Sequence, residues 1–220
     1  MHRVEEVDAS EDLLKVNENL ARDVREHLDD HGVRAVEFLG SIGSGKTSII
    51  EWIIREYGDE YSFAVLAGDV VSEYDERRFR RLDVPVVGLN TGRECHLDAH
   101  LVRHGLEHLE EETDLDEIDV LFIENVGNLI CPVDFPVGAH ERVVVVSAPE
   151  GEDVVGKHPM IIREGDVLVI NKVDLAEPCG VSVDRMVETA REINPDIEVY
   201  RTSVRTGEGL RELAERLLPA

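Results

Sequence analysis

The sequence is 220 residues long and carries 23 basic and 48 acidic side chains, for a formal net charge of −25. That length suits one domain with a sizeable core, and so acidic a surface excludes nucleic acids and anionic membranes as partners. No apolar run approaches the ~20 residues of a membrane-spanning helix, and the first residues lack the apolar core of a signal peptide. Three cysteines, an odd number, argue against a disulfide framework. We therefore expect a cytoplasmic protein.

Only four of the 23 basic residues are lysines, and the other 19 are arginines. An acidic excess with scarce lysine is typical of a protein adapted to a salty cytoplasm, where charges are screened within a few ångströms. The alternative is an acidic patch that concentrates cations or docks a basic partner. Since the acidic residues are spread along the whole chain, we favour adaptation to salt.

In chain order, helical and strand-like patterns alternate. Apolar residues at helical spacing predict a helix over 11–30, with Leu13 and Val16 on its buried stripe. Strand-like runs lie at 33–39, 61–67, 84–89, 118–124, 142–148, 167–171 and 197–203. Helical patterns between them lie at 48–54, 94–112, 182–194 and 207–218. This order predicts a single α/β domain over 1–220, with a mostly parallel sheet, helices on both faces and residues 1–32 packed on it as a helical extension.

Residues 40–47, Gly-Ser-Ile-Gly-Ser-Gly-Lys-Thr, form a complete phosphate-loop motif between a strand and a helix. Its glycines let backbone N–H groups close around a phosphate at a helix N-terminus. Lys46 is predicted to reach the β- and γ-phosphates, and the Thr47 hydroxyl to hold Mg²⁺. The motif predicts a P-loop NTPase with nucleotide contacts at Gly40, Ser41, Gly43, Ser44, Gly45, Lys46 and Thr47.

The motif Asn-Lys-Val-Asp at 171–174 follows a buried strand and indicates which base is bound. The carboxylate of Asp174 can accept hydrogen bonds from N1–H and the N2 amine of guanine, a pair of donors that adenine lacks. Asn171 can bond the O6/N7 edge, and the stem of Lys172 can cover the ring. Because the wrong base would leave a buried acceptor unpaired, we predict GTP rather than ATP. Ser203 is predicted to lie at the end of the last strand, in the loop that closes over the base.

The residues that face the γ-phosphate of the nucleotide are predicted from Glu124, which lies at a strand end three residues before Gly127. This spacing resembles the D-x-x-G of GTPases with Glu for Asp. Glu124 is predicted to hold Mg²⁺ through water, and the Gly127 amide to sense the γ-phosphate. Asp69 is a second candidate for Mg²⁺ or for orienting the attacking water, with a helix N-cap as its alternative role. Lys46, Asp69 and Glu124 are thus the predicted catalytic residues, and without a glutamine placed to position water we expect slow or partner-dependent turnover.

A second constellation offers thiol and imidazole groups at Cys95, His96, His100, His104 and Cys131. His96 and His100 are one helical turn apart and are predicted to share a face. Thiolate and imidazole suit Zn²⁺ and Ni²⁺. An adjacent Cys-His pair cannot complete a tetrahedral site, so a metal would need ligands from elsewhere in the chain or from a second subunit. Inert core cysteines and satisfied surface histidines are the alternative.

Together the phosphate loop, T-G-R-E-C-H-L-D-A-H, E-N-V-G-N-L-I-C-P, the stretch 150–159 and N-K-V-D-L resemble the HypB family, the nickel-insertion GTPases of nickel–iron hydrogenase maturation. The resemblance covers nearly the whole chain. It implies a homodimer of the dimerising (SIMIBI-type) P-loop GTPase class, dependent on GTP and metal. It also implies a nickel or zinc site between subunits at Cys95, His96 and Cys131 with His100 adjacent, and a nucleotide contact at Lys157.

The implied function is that of a GTP-hydrolysing metallochaperone that assists nickel insertion into hydrogenase. Its implied partners are the hydrogenase large subunit and a zinc-containing nickel carrier. Some family members carry a Cys-rich or His-rich segment for nickel, which this N-terminus lacks, so nickel storage there is not expected. Cys179 matches no family ligand and is predicted to be structural.

Two other functions stay open at this point. A urease-type nickel GTPase, a sister enzyme, is expected to show Cys-Pro-His rather than the separated Cys-His and Cys-Pro of this chain. A non-catalytic metal-binding scaffold, in which GTP only clamps a dimer, is the other. Single-turnover hydrolysis of GTP distinguishes an enzyme from such a clamp.

Overall fold

A computed structural model describes residues 3–69, 74–92 and 95–219, with the side chains of 3–11, 69, 74 and 75 left undescribed. Seven strands lie within these described ranges: β1 (Arg34–Gly40), β2 (Phe63–Asp69), β3 (Val86–Asn90), β4 (Val120–Glu124), β5 (Glu141–Ser147), β6 (Val167–Asn171) and β7 (Glu198–Arg201). They form one sheet in the order β3-β2-β4-β1-β5-β6-β7, and every neighbouring pair is parallel.

The connections between strands are mostly helical. The α-helices are α1 (Arg3–Asp30), α2 (Lys46–Tyr57), α3 (Tyr74–Phe79), α4 (Ala99–Glu112), α5 (Val154–Lys157), α6 (Pro159–Glu164), α7 (Ala176–Cys179), α8 (Val183–Ile193) and α9 (Leu210–Leu217). Short 3-10 turns lie at Arg80–Leu82, Leu115–Glu117, Cys131–Asp134, Ala148–Glu150 and Val173–Leu175. No helix in the described part of the chain is both long enough and apolar enough to cross a bilayer.

Both faces of the sheet are covered, as the continuous apolar strands predict. On one face Phe38 and Phe122 meet edge to face, and α2 and α9 pack over them. On the other face α1 and α4 cover Ala35 and Leu121, while α5, α6 and α8 cover Val144 and its neighbours. Because side chains alternate between faces along a strand, each central strand contributes to both cores. The predicted parallel α/β architecture is confirmed.

The register of the sheet brings the predicted motifs to one edge. Phe38 of β1 and Ala67 of β2 each lie opposite Glu124 of β4. Gly40, the last residue of β1, lies opposite Val145. The carboxyl ends of parallel strands form the usual ligand site in such folds, so the phosphate loop and the ends of β2, β4 and β6 surround a common space.

Two of the helices differ from their sequence prediction. α1 begins at Arg3 rather than at residue 11, and Leu13 and Val16 are exposed rather than buried. Among the side chains of α1 that the structure describes, burial begins at Asn17, which accepts a hydrogen bond from the N–H of Ala99 at the start of α4. The predicted helix at 94–112 begins at Ala99, where the carboxylate of Asp98 accepts a hydrogen bond from the N–H of Leu101 (2.8 Å) and caps it.

Strand and helix limits elsewhere agree within one to three residues. The pattern at 118–124 starts at Val120, since the preceding residues form the turn at Leu115–Glu117. The pattern at 197–203 ends at Arg201, so Ser203 lies beyond β7 and pairs with Glu208 in an isolated bridge. The short helices α3, α5, α6 and α7 were not predicted, because four to six residues are too few for a helical period to be recognised.

Candidate nucleotide and metal sites

The phosphate loop takes the conformation that its glycines predict. Gly45 has φ 110° and precedes α2, and a Cβ at this position would lie 2.2 Å from Nδ2 of Asn171. Only glycine fits there, which leaves the backbone amides at the start of α2 open to an anion. The hydroxyl of Ser44 is buried and finds no hydrogen-bond partner among the described residues. A buried polar atom of this kind suits contact with a bound phosphate.

Three of the predicted phosphate and magnesium residues meet beneath this loop. Nζ of Lys46 donates to the carbonyls of Gly40 (3.2 Å) and Ser41 (3.3 Å) and lies 4.0 Å from Oε1 of Glu124. The Thr47 hydroxyl donates to the same carboxylate oxygen at 2.8 Å. All three side chains are buried. A carboxylate and a hydroxyl side by side are oxygen ligands of the type that Mg²⁺ prefers.

The γ-phosphate segment touches the phosphate loop directly. A Cβ at Gly127 would lie 2.3 Å from Cγ1 and 2.9 Å from the backbone nitrogen of Ile42, so the two segments pack backbone to backbone. Gly40 forms an antiparallel bridge with Asn128. Asp69 ends β2 opposite Asn90, but its side chain lies outside what the structure describes, so the role predicted for it stays a prediction.

The base motif is assembled partly as predicted. Ser203 donates to Oδ1 of Asp174 at 2.5 Å, and Arg205, which the sequence reading missed, donates to Oδ2 at 2.8 Å. The Ser203 hydroxyl holds the pKa of the Asp174 carboxyl below its usual range, and Arg205 adds to the effect. Lys172, at φ 57°, extends its amine to the carbonyl of Gly43 (2.5 Å). The carboxylate is therefore ionised at neutral pH and can accept hydrogen bonds.

The side chain of Asn171 forms hydrogen bonds to two other segments. Its amide nitrogen donates to the carbonyl of Ser44 at 2.9 Å, and its oxygen accepts from the Thr202 hydroxyl at 3.2 Å. The side chain therefore joins the end of β6 to the phosphate loop and to the residue that follows β7. The contact predicted between Asn171 and the purine edge stays a prediction.

The predicted metal ligands lie on two loops. Sγ of Cys95, an exposed residue, is 4.0 Å from Nδ1 of His96, whose buried ring packs on Phe135 with centroids 4.1 Å apart. Because His96 precedes α4, the prediction that it shares a helical face with His100 is wrong. Cys131 is half-buried at the start of the turn at Cys131–Asp134.

These ligands do not close a site within one chain. Among the side chains that the structure describes, Cys95, His96 and Cys131 are not a group whose ligand atoms all lie within 4.8 Å of one another. Arg93 and Glu94 of the same motif lie outside the described residues. The donor set has the chemistry of a nickel or zinc site, but its geometry in a single chain is incomplete.

One side chain, Asn128, connects both loops to the nucleotide motif. Its amide nitrogen donates to the carbonyl of Cys95 at 3.2 Å. Its oxygen accepts from the backbone N–H groups of Ile130 (2.8 Å) and Cys131 (3.4 Å). Its backbone also bridges Gly40, so this one residue contacts the phosphate loop and both thiol-bearing segments. The sequence reading missed it, because an asparagine carries no recognisable metal or phosphate signal.

Comparison with known proteins places this arrangement in a family. The sequence profile described as CobW/HypB/UreG, nucleotide-binding domain, matches residues 35–201. A probable hydrogenase maturation factor HypB from Methanocaldococcus jannaschii is 51% identical, over 98% of this chain and 96% of that protein. The chain belongs to the HypB family of hydrogenase maturation factors.

Solved structures of HypB proteins share the fold. HypB from Archaeoglobus fulgidus is 46% identical, with a TM-score of 0.85 over 92% of this chain and 97% of that one. HypB from Helicobacter pylori, determined in complex with nickel, is 31% identical, with a TM-score of 0.87 over 91% of this chain and 93% of that one. The predicted P-loop fold class is confirmed. HypB proteins differ in length, since the chain spans only 65% of the Azotobacter vinelandii relative, at 41% identity.

The HypB-like stretch 150–159 reaches the phosphate loop through Glu150, which accepts a hydrogen bond from the Ser41 hydroxyl. Lys157 is exposed and pairs with Asp153 at 2.5 Å, and none of the contacts among described residues joins it to the phosphate loop. All three cysteines lie in the described part of the chain and are free, and Cys179 is exposed.

A buried polar network, also missed from sequence, supports the two cysteine-containing loops. Asn125 accepts from the N–H of Leu97 (2.9 Å) and donates to Glu37 (2.8 Å). Arg142 donates to the other Glu37 oxygen (3.2 Å) and to the carbonyl of Pro132 (2.8 Å). Burial raises the pKa of the Glu37 carboxyl, and the Arg142 guanidinium opposes that shift. The network thus runs beneath the sheet edge from one thiol segment to the other.

Arg142→Leu is expected to lower the free energy of unfolding by about 3–5 kcal/mol. The reason is that the buried Glu37 carboxylate would keep only one hydrogen-bond donor, the side-chain amide of Asn125. Glu37 is 1% exposed, so water cannot replace the lost partner. Urea denaturation measures the change. The matched control is Arg185→Leu, whose pair with Glu152 (3.0 Å) is at the surface and contributes at most about 1 kcal/mol. Equal losses in the two variants would contradict this role for Glu37.

Proposed function

We propose that this chain is a GTP-hydrolysing metallochaperone that carries nickel as its cargo and assists nickel insertion into hydrogenase. The proposal rests on one observation above all: Asn128 joins the segments of Cys95 and Cys131 to the phosphate loop. A molecule built this way can change its metal-binding loops when the nucleotide changes. The HypB relatives are hydrogenase maturation factors, and one of them was crystallised with nickel.

In this proposal GTP binds on the phosphate loop, with Lys46 against its β- and γ-phosphates. Thr47 and Glu124 hold Mg²⁺, which when bound neutralises charge that develops between the phosphates. The buried Ser44 hydroxyl and the clustered oxygen donors support this assignment. Hydrolysis is expected to be slow, because the chain contains no glutamine to position the attacking water. Asp69 is the residue proposed for that task.

The cargo site is proposed to form between two copies of the chain. Cys95, His96 and Cys131 from each copy, with His100 adjacent, supply thiolate and imidazole to Ni²⁺ or Zn²⁺. The incomplete ligand geometry of one chain supports a shared site. GTP and metal would then favour the same homodimer, and each would raise the affinity for the other.

The whole chain, residues 1–220, is proposed to act as one GTPase domain on which residues 1–32 pack as a helical extension. The amide of Asn17 accepts from the N–H of Ala99 (2.9 Å) and donates to the carbonyl of Pro136 (2.9 Å). It therefore fixes the start of α4, just after the Cys-His pair, against the segment that follows Cys131. Cytoplasmic partners, the hydrogenase large subunit and a zinc-containing nickel carrier, complete the proposal.

Asp174→Asn is expected to weaken GTP binding about 10–100-fold, or roughly 1.4–2.8 kcal/mol. The change replaces an acceptor with a donor facing the N2 amine of guanine, and xanthine, which carries an oxygen there, should be accepted instead. Competition between labelled GTP and unlabelled XTP measures both effects. The control is Asp184→Asn, an acidic residue paired with an arginine (Arg201, 2.6 Å) away from the base motif. If Asp174→Asn bound GTP with the parent affinity, Asp174 would not be the residue that recognises guanine.

The experiment that tests the function combines hydrolysis with nickel delivery. Purified protein is assayed for single-turnover hydrolysis of GTP, and the gene is used to restore nickel-dependent hydrogenase or urease activity in cells that lack a maturation GTPase. Hydrolysis with rescue of hydrogenase supports the proposal. Rescue of urease alone favours the sister enzyme, and metal-dependent dimerisation without any hydrolysis favours a GTP-clamped scaffold.

A further inference from the structure

A second set of metal-ligating side chains lies where the ends of α1 and α4 meet. In the part of the chain that the structure describes, His27, His31 and Glu110 are the group whose ligand atoms all lie within 4.8 Å of one another. His27 belongs to the last turn of α1, His31 follows that helix, and Glu110 lies in the last turn of α4. None of these residues belongs to the nucleotide site or to the cysteine-containing loops.

The ligand atoms of these three side chains are close enough together to bind one metal ion. Nε2 of His27 lies 2.6 Å from Oε1 of Glu110, and the His27 and His31 rings meet edge to face with centroids 4.9 Å apart. Ligand atoms around a first-row cation are about 3 Å apart, since each bond is about 2.0–2.2 Å long. Small side-chain rotations are therefore enough to place all three groups around one ion.

A fourth residue holds one of the imidazoles in position. Nδ1 of His31 lies 2.6 Å from Oδ1 of Asp116, in the turn after α4. A carboxylate on one ring nitrogen fixes the tautomer and leaves Nε2 for a metal, as in most histidine-ligated sites. The ring of His31 is thus already oriented by a group outside the ligand set.

The frame that carries these groups is rigid and favours a cation. Val24 and Leu28 of α1 are buried against Leu106 and Leu109 of α4, so the facing ends of the two helices cannot separate easily. The carbonyl end of a helix carries partial negative charge, and two such ends converge here. The His27 and Glu110 side chains remain 42% and 37% exposed, so an ion can enter from solvent.

We propose that His27, His31 and Glu110, with Asp116 orienting His31, form a second binding site for a divalent cation of the Ni²⁺ or Zn²⁺ type. Eleven helical positions separate Ala99 from Glu110, about 16 Å along α4, so this site is distinct from the one proposed at Cys95. Two imidazoles and a carboxylate suit both ions. Without a thiolate, the site is expected to release its ion more readily than the cysteine site.

Binding is tested in full-length protein that carries Cys95→Ala and Cys131→Ala, which lacks the thiolates. Titration with Ni²⁺ and with Zn²⁺ by calorimetry is expected to show one ion per chain. Adding His27→Ala and His31→Ala should weaken that binding at least tenfold, and adding Glu110→Gln should weaken it as well. In the chain with both cysteines intact, the two histidine changes should lower the stoichiometry by one ion per chain while nucleotide binding stays unchanged.

The matched control is His108→Ala on the exposed side of α4, because this ring also has a glutamate nearby, Glu111 at 3.5 Å. Among the described residues, the metal-ligating group formed by His27, His31 and Glu110 does not include His108. Removal of His108 should therefore leave both affinity and stoichiometry unchanged.

The spectrum of bound Co²⁺ identifies the ligands independently of affinity. In the cysteine-free background the ion should show d–d bands without a thiolate charge-transfer band, and these bands should disappear in His27→Ala/His31→Ala. An ion that still binds after both histidines are replaced, or no ion in the cysteine-free protein, overturns the second site. Neither result depends on hydrogenase delivery, so failure here leaves the proposed function standing.

Discussion

Lys46→Ala is expected to abolish measurable GTP hydrolysis, with a loss of about 10²–10³-fold or more, the range found when one preorganised donor to developing charge is removed. Its ammonium is buried and donates hydrogen bonds to the carbonyls of Gly40 and Ser41 in the phosphate loop. Because phosphate charge is present in both the ground and transition states, binding of GTP should weaken along with turnover. Single-turnover hydrolysis and titration with a fluorescent GTP analogue measure the two effects.

Two further variants separate the role of this lysine from general charge effects. Lys15→Ala removes an exposed lysine of α1 and should change neither hydrolysis nor binding. Asp69→Ala should spare binding and slow only turnover, since its proposed partners are the attacking water or Mg²⁺. If Asp69→Ala hydrolysed GTP at the parent rate, the helix-cap interpretation of that residue would be preferred. If Lys46→Ala bound GTP with parent affinity, the assignment of the phosphate loop would be wrong.

The parts of the site that sequence could predict are those with a fixed local spacing. The phosphate loop and the Asn-Lys-Val-Asp motif each lie within one strand-to-loop segment, so their residues are adjacent in the chain before any tertiary contact forms. Apolar strands that alternate with helices predict a parallel sheet. Because both segments follow the carboxyl ends of such strands, they are expected to reach the same edge of that sheet. Glu124 and Thr47 meet there at 2.8 Å as that reasoning requires.

The parts that sequence could not predict depend on long-range hydrogen bonds made by ordinary polar residues. Asn17, Asn125 and Asn128 each satisfy backbone groups of segments far away in the chain, and no period or motif marks them. The start of α4 was missed for a related reason. The helical pattern of apolar residues extends back past Asp98, and only the hydrogen bond from Leu101 to its carboxylate shows that Asp98 ends the loop. Cys95 and His96 therefore lie on the loop before α4 and not on the helix.

The second large effect that we expect is the loss of coupling between nucleotide and metal when Asn128 is replaced, because Asn128 contacts the phosphate loop and the segments of both cysteines. In the parent protein a non-hydrolysable GTP analogue should raise the affinity for Ni²⁺ by a factor in the usual allosteric range, about 5–150-fold. By linkage, Ni²⁺ must raise the affinity for the analogue by the same factor. Asn128→Ala removes the hydrogen bonds to Cys95 and Cys131 while leaving every proposed ligand in place. Each affinity measured alone should stay within a few-fold of the parent, and the coupling factor should fall towards one.

The cysteine variants give the complementary result. Cys95→Ala and Cys131→Ala should lose dimerisation induced by Ni²⁺ or Zn²⁺ and still bind guanine nucleotide, because the nucleotide motifs are untouched. High salt should assist assembly of the parent protein, since two chains of formal charge −25 repel each other at low ionic strength. Analytical ultracentrifugation, with metal, GTP analogue and salt varied independently, follows each contribution.

Asn194→Ala is the control that makes the Asn128 result specific. Asn194 also uses its amide to tie backbone segments together, donating to the carbonyls of Ile162, Arg163 and Gly165 at 3.1–3.3 Å, but it lies after α8 and outside both proposed sites. The Asn194→Ala protein should be less stable than the parent, but GTP analogue and Ni²⁺ should still raise each other's affinity by the parent factor. If Asn194→Ala and Asn128→Ala reduced the coupling factor equally, the effect would come from a loosened fold. If Asn128→Ala kept the full coupling, the path between phosphate loop and metal loops would have to run elsewhere, and the buried network of Asn125, Glu37 and Arg142 is the other set of described contacts that joins the two thiol segments.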